Sequence, residues 1–243
     1  MLPNRAMGVL TSVVSAAETF GICFPTVLDS VLGRTDKRAC DARLASWAPR
    51  VLAHADVALT VEGRQHIAGG QPYVLMSNHA SFYDIPVVYA AFGGNLRMVA
   101  KKELFRVPVF GRAMHEAGFI EVDRQNRAAA LKNLSLAKHL LEEGTSLWIA
   151  PEGTRSKDGK LGPFKKGGFR LALETQLPIL PVSLVGTFEI MPPHTLRTNR
   201  GREVRAVFHA PLYTSAYVSD EGDGHAALDR LMNDVRTKIA HGL

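Results

Sequence analysis

The chain has 243 residues, 46% of them hydrophobic and 21% charged, a balance that suits one sizeable folded domain and excludes a disordered chain or a minimal stapled scaffold. Its 29 Lys and Arg against 23 Asp and Glu give a formal charge of +6, which favours an anionic partner but does not choose among nucleic acid, a phosphorylated small molecule and an acidic membrane face. Two cysteines, Cys23 and Cys40, are too few for a disulfide framework or a four-ligand zinc site, so no metal and a reducing compartment are expected.

The chain is uncharged from Ala6 to Ala17, is interrupted by Glu18, and is uncharged again from Thr19 to Leu28. Neither run reaches the roughly 18 to 20 residues of a spanning helix. A signal peptide is also a poor fit, because Arg5 is the only early cation and the apolar run carries Thr11, Ser12 and Ser15. Leu10, Val13, Val14, Ala17, Gly21, Phe24, Leu28 and Val31 recur at helical spacing, which predicts an amphipathic stripe, and Pro25 predicts a break between two short helices. Arg34, Lys37, Arg38 and Arg43 follow, ahead of an apolar patch of Leu44, Trp47, Val51 and Leu52. Residues 1–55 are therefore expected to form a helical segment. It either lies in the lipid interface with its cations on anionic headgroups or packs on the rest of the chain.

Beyond residue 56 short apolar runs alternate with helical stretches. Val57–Glu62, Pro72–Ser77, Arg97–Ala100, Gly118–Val122, Ser146–Ala150, Ile179–Val185 and Val204–His209 read as strands. Between and after them, Arg127–Glu143, Gly167–Thr175 and a last stretch carrying Leu228, Leu231, Met232, Val235 and Ile239 read as helices. The pattern predicts an α/β domain over residues 56–243, a mixed, largely parallel sheet flanked by helices, with functional loops at the carboxyl ends of strands.

Several chemistries are excluded by what the sequence lacks. It has no Gly-x-Ser-x-Gly elbow and no His-Glu-x-x-His pair. The run Gly153–Lys160 resembles a phosphate loop only faintly, because five residues separate its glycines and Leu161 stands where a hydroxyl should meet magnesium. The cations are dispersed among carboxylates rather than interleaved with aromatics, so no nucleic-acid partner is expected.

The positive signal is Asn78-His79-Ala80-Ser81-Phe82-Tyr83-Asp84-Ile85-Pro86, directly after a strand. A His that must take a proton from a hydroxyl gains from a carboxylate that fixes its tautomer and stabilises the imidazolium. Five steps along a continuous helix would set the two side chains roughly 140° apart, so the pair needs a turn, with Asp84 near the cap of the next helix. Taken alone, the same residues fit a capped helix start with a solvated His.

Three further blocks follow in order: Gly118-Phe119-Ile120-Glu121-Val122-Asp123-Arg124, then Pro151-Glu152-Gly153-Thr154-Arg155-Ser156, then Ile179-Leu180-Pro181-Val182. Together the four blocks resemble the glycerolipid acyltransferase family, specifically the lysophosphatidate (1-acylglycerol-3-phosphate) acyltransferases, over residues 60 to 210. Ala150, where Phe is common, is a small departure. The resemblance implies His79 as general base and Asp84 as its orienter, in direct transfer without an acyl-enzyme, with Ser81 bonding around the turn rather than acting as nucleophile. It further implies Arg124 and Arg155 as a phosphate cradle with Lys101 as a third cation. Gly118, Gly153 and Thr154 would approach the acceptor, Glu152 would position Arg155 or an acceptor hydroxyl, and Pro181 would lie on the acyl-donor side. Lys165 and Lys166 could meet phosphates or stay solvated.

No cofactor is implied, only acyl-CoA or acyl carrier protein as co-substrate. The implied partners are a lysophospholipid acceptor and an anionic membrane surface, and the implied location is peripheral, on the cytoplasmic face. Other lysolipid acceptors such as lyso-ornithine lipid, a silent lipid-binding module, and thioester hydrolysis by water are the competing readings.

Overall fold

The computed structural model describes residues 4–122, 127–217 and 224–243. In chain order its elements are α1 (Asn4–Val31), α2 (Lys37–His54), β1 (Val57–Glu62), β2 (Val74–Ser77), α3 (Asp84–Phe92), β3 (Leu96–Lys101), α4 (Lys102–Phe105), α5 (Phe110–Glu116) and β4 (Ile120–Val122). They continue with α6 (Arg127–Glu142), β5 (Ser146–Ile149), α7 (Gly167–Thr175), β6 (Ile179–Val185), α8 (Thr187–Ile190), β7 (Arg202–Phe208) and α9 (Gly224–Gly242). The strands make one seven-stranded sheet in the order β1-β7-β6-β2-β5-β3-β4. Every neighbouring pair is parallel except β6 with β7. The α/β architecture expected from the alternation is the one observed.

Both faces of the sheet are covered, and successive residues of one strand serve opposite cores. Leu75 of β2 joins Leu180, Val182, Trp47, Val51, Val87 and Val88 on the face carrying α2 and α3. Its neighbours Val74 and Met76 join Leu140, Phe169, Leu231, Val235 and Ile239 on the face carrying α6, α7 and α9. This two-residue repeat is why the central strands read as uninterrupted apolar runs. Behind the sheet Ser183 Oγ donates to the Ile239 carbonyl at 2.7 Å and lies 2.8 Å from His209 Nε2, which pins α9 to β6.

The amino-terminal segment departs from expectation in two ways. First, α1 is one 28-residue helix that runs through Pro25 without a break. A proline ring crowds the carbonyl four residues earlier and leaves it without a donor. Here that carbonyl belongs to Gly21, which is exposed, so solvent can meet the orphaned oxygen. The continuous helix is long and apolar enough to cross a membrane by length and composition, although neither uncharged run suffices alone.

Second, α1 turns its polar stripe inward. Ser12 Oγ meets Thr198, Ser15 meets the Tyr83 hydroxyl, Glu18 accepts from Arg50 and Thr19 accepts from the Trp47 indole. Val9, Leu10, Val13, Phe20, Phe24, Leu28 and Val31 are exposed on the other side. By contrast, α2 is part of the main core through Trp47, Ala48, Val51 and Leu52. The cations at the start of α2 are partly spent internally: Arg43 pairs with Asp29 and Lys37 donates to Thr145.

Candidate active site

β2 ends at Ser77, and the chain leaves the sheet through a network that copies strand pairing with side chains. Asn78 Nδ2 donates to the Leu184 carbonyl and Asn78 Oδ1 accepts from the Leu184 N–H, both at 2.8 Å. An amide side chain carries the same donor and acceptor as a peptide group, so the pairing of β2 with β6 is prolonged beyond the strand. Ser77 Oγ accepts from the Trp148 indole at 2.9 Å, and the Trp148 ring stands edge-on to the His79 ring with centroids 6.1 Å apart.

Asp84 is the first residue of α3 and reaches back into the turn. Its Oδ2 lies 2.7 Å from His79 Nδ1 and accepts from the backbone N–H groups of Ala80 and Ser81 at 2.8 and 2.9 Å. Three donors on one oxygen hold a fully buried carboxylate in a single orientation. With Nδ1–H directed at Asp84, the imidazole lone pair is left on Nε2. The His79 side chain is 20% exposed and that of Asp84 not at all, so the base can be reached and its orienter cannot. Ser81 is buried and donates to the Met191 carbonyl at 3.0 Å, as expected of a residue that shapes the turn.

Glu152 does something the sequence did not suggest. Its Oε1 accepts from the His79 N–H and its Oε2 from the Gly162 N–H, each at 2.8 Å. Both oxygens are thus directed at backbone, not at Arg155. Burial pushes its carboxyl above the usual range, against the pull of those two bonds. The loop from Pro151 to Lys165 is tied down further by Ser156 N–H to the His79 carbonyl and Lys165 N–H to the Pro151 carbonyl, each at 2.7 Å. Arg236 of α9 donates to the Leu161 and Gly162 carbonyls.

Arg155 comes from that loop and lies over the Phe82 ring, 3.8 Å from its centre. Its Nη1 is buried without a partner among the described residues, and burial lowers the guanidinium's pKa while Asp84 opposes the shift. His79, Asp84, Glu152 and Arg155 therefore form one cluster at the carboxyl end of β2. Gly153 occupies a left-handed turn at φ 71° that a side chain would strain. Thr154 is exposed beside it.

The remaining expected residues are scattered. Lys101 is exposed at the carboxyl end of β3. Gly118, with φ 76°, precedes β4 at the opposite end of the parallel strands, and a Cβ there would lie 3.5 Å from Arg97 Nε. It does not belong to the cluster, because it comes before its strand and the cluster lies at the carboxyl end of β2. Arg124 lies outside the described residues. Pro181 is buried in β6 opposite Met76, where its carbonyl takes the His209 N–H just past the last rung shared with β7. Lys166 pairs with Asp229 at 2.9 Å.

The sequence assigns no role to Phe82, Trp148 or Arg236, and it quotes Asn78 only as the first residue of its block. Phe82 sits inside the His-x4-Asp block and its neighbourhood was the available signal. Arg236 offered none, since 74 residues separate it from Gly162.

Residues 58–185 match the family model described as Acyltransferase. The chain is 34% identical over 184 residues to a chloroplastic 1-acyl-sn-glycerol-3-phosphate acyltransferase of Brassica napus, which covers 75% of this chain and 50% of that protein. It is 33% identical over 183 residues to the 1-acyl-sn-glycerol-3-phosphate acyltransferase alpha of Ovis aries, covering 74% and 62%. The chain thus spans about half the length of the plant relative. The crystal structure of a 1-acyl-sn-glycerophosphate acyltransferase from Thermotoga maritima shares the fold, with a TM-score of 0.78 at 24% identity over 98% of this chain and 94% of that one.

Proposed function

The chain belongs to the acyltransferase family, and from that membership and its His79–Asp84 turn we propose that it transfers a fatty acyl group from an acyl thioester to the free hydroxyl of 1-acylglycerol 3-phosphate, giving phosphatidate. The observation that carries the reading is the 2.7 Å bond between His79 Nδ1 and a fully buried Asp84, which leaves Nε2 free for an acceptor hydroxyl. The curated relatives named for this reaction support the choice of acceptor.

Nε2 takes the hydroxyl proton as the alkoxide oxygen attacks the thioester carbonyl, and Asp84 stabilises the imidazolium that forms. The tetrahedral adduct collapses, the C–S bond breaks, and the thiolate takes the proton held on Nε2. The new bond is the C–O ester, and no acyl-enzyme is needed because Ser81 is engaged with Met191. Arg155, stacked on Phe82 with Nη1 unpaired, suits the acceptor phosphate, since a guanidinium binds two phosphate oxygens at once. Lys101 and Arg124 complete the cradle in this reading. The donor is acyl-CoA or acyl carrier protein.

Lysophospholipid acceptors reside in bilayers, and the outward apolar stripe of α1 supports attachment there, with the globular part resting on the cytoplasmic face. An interfacial helix buries one apolar face in the headgroup boundary and keeps its polar face elsewhere; here that polar face is packed on the domain.

The test is a product profile from purified protein offered several lyso-acceptors with acyl-CoA and with acyl carrier protein. Thiol release that depends on lysophosphatidate and yields phosphatidate is the expected result. Release independent of acceptor would assign hydrolysis instead, and binding without release would assign a silent lipid-binding module.

A further inference from the structure

We propose that the arginine-rich segment between α8 and β7 is a binding site for the headgroup phosphate of an anionic phospholipid in the bilayer, separate from the catalytic cluster. The site rests on the membrane reading given above and adds to it a lipid class and named residues.

A cavity of about 170 Å³ is lined by Gly8, Arg197, Thr198, Asn199, Arg200 and Arg202. Three of these six are arginines, and among the described residues no carboxylate forms an ion pair with any of them. Elsewhere Arg43, Arg50, Arg97 and Arg205 each have an acidic partner. Asp56 lies beside the segment, where its Oδ2 would be 3.6 Å from a Cβ built on Gly201, without pairing to an arginine of the cavity. Cations gathered without partners repel one another, and a bound dianion or monoanion relieves that repulsion.

The segment is held in shape rather than loose. Arg197 Nη2 donates to Asn199 Oδ1 at 3.0 Å, Asn199 Nδ2 to the Glu189 carbonyl at 2.8 Å, and Asn199 N–H to the Ile190 carbonyl at 2.7 Å. Guanidinium groups on a fixed backbone suit the paired oxygens of a phosphate.

Its surroundings favour a lipid over a soluble phosphate. Leu196, next to the first arginine, is 86% exposed. The Thr198 N–H bonds the Gly8 carbonyl at 3.2 Å, and a Cβ on Gly8 would come within 2.6 Å of the Thr198 carbonyl oxygen and 2.7 Å of Arg197 Cγ. The close approach that glycine permits sets the basic cavity against the start of the exposed row Val9, Leu10 and Val13. Cations bordering an apolar stripe are the pattern of an interfacial contact with anionic lipid.

The site also shares the working end of the molecule. β7 runs antiparallel to β6, so Arg202 at its start lies at the end where β2 delivers His79. Ser81 Oγ to the Met191 carbonyl and the Tyr83 hydroxyl to Thr198 Oγ1, 3.0 and 3.1 Å, join the segment to the catalytic turn. A headgroup held here would fix the height and tilt of that turn over the bilayer.

The experiment measures binding of the full chain to phosphatidylcholine vesicles with and without phosphatidylglycerol, for wild type and Arg197→Gln/Arg200→Gln/Arg202→Gln, with thermal melts of both. Wild type should prefer the anionic vesicles. The triple variant should lose that preference, at ~5-fold for each well-placed cation, while still binding phosphatidylcholine through α1. The Arg→Lys triple should recover part of it. Should the triple variant melt early, the single variants Arg197→Gln and Arg200→Gln, both outside β7, carry the same comparison.

Undiminished anionic preference in folded variants would overturn the site and leave the membrane reading standing. Failure of wild type to bind either vesicle would overturn both. If inorganic phosphate raised the melting temperature of wild type and not of the variants, while the two bound anionic vesicles alike, the cavity would be a soluble-phosphate site and the lipid assignment would fall.

Discussion

The Arg155 guanidinium lies over the ring of Phe82, a residue of the same turn that joins His79 to Asp84. The cation proposed to hold the acceptor phosphate is therefore braced on the segment that presents the base. Arg155→Ala should raise the acceptor KM by ~10- to 100-fold, from loss of a charged hydrogen bond. Arg155→Lys should recover little, because an ammonium reproduces neither the fork nor the stacking. Phe82→Ala should shift KM in the same direction by less, from loss of the cation–π contact. Steady-state kinetics over a range of acceptor concentrations checks all three, and unchanged KM in Arg155→Ala would move the phosphate to Lys101 or Arg124.

His79→Ala should cost ~10²- to 10⁴-fold in turnover, the usual contribution of a general base, with the fold retained. Asp84→Asn should fall steeply too: its amide oxygen could still accept from Nδ1, Ala80 and Ser81, but it carries no charge to stabilise the imidazolium, and its N–H₂ would be buried where Asp84 Oδ1 has no partner among the described residues. Single-turnover thiol release alongside a thermal melt makes the comparison. Near-normal turnover in a folded His79→Ala would remove the mechanism.

Placing Asp at Val13 and Phe24 tests the outward stripe of α1. Both residues are exposed, at 59% and 65%, so the substitutions leave the contacts of Ser12, Ser15, Glu18 and Thr19 intact. Each buried charge costs ~2.5 to 3.5 kcal/mol at the centre of an inserted helix, an upper guide for an interfacial one. Vesicle co-sedimentation should drop while the melting temperature holds. Turnover on bilayer acceptor should drop with it, and turnover on a short-chain acceptor dispersed in water should persist.

His209 gives a stability prediction with a definite sign. Burial, then the neighbouring charges of Lys238, His66 and His241, lowers its pKa from 6.5. Between the lowered value and 6.5 the unfolded chain binds more protons than the folded one, so stability rises with pH through that window and is lost on acidification. His209→Gln should show a shallower fall in melting temperature than wild type as the buffer is taken below 6.5. Parallel curves would mean that His209 does not carry the effect.

Much of the fold was legible because each kind of burial leaves its own period: Ile179–Val185, buried on both faces, shows as an apolar run, Val57–Glu62 as an alternation and Gly167–Thr175 as helical spacing, and all three emerge with the ends read from sequence. Pro25 misled because its cost depends on what lies four residues earlier, and an exposed Gly21 makes that cost small. The inverted facing of α1 was invisible for a different reason. Periodicity reports that two faces differ and not which one the protein takes. His79 and Asp84 were readable from five-residue spacing plus the need for a turn. Glu152 was not, since backbone N–H groups that receive a side chain leave no mark on composition. Gly118 falls away from the cluster because it comes before β4, while His79 follows the end of β2.

Glu152 has one more consequence. It joins a residue 73 positions before it to one 10 positions after it through two bonds to backbone, so the segments around His79 and Gly162 share one anchor without touching it by their own side chains. Grafts and chimeras should respect that linkage. Exchanging either segment for one of different length or backbone path would leave a buried carboxylate with an unmatched oxygen, and the base would shift although no residue beside it had been altered. In recombination experiments these stretches are expected to behave as a single module that travels together with Glu152 or fails.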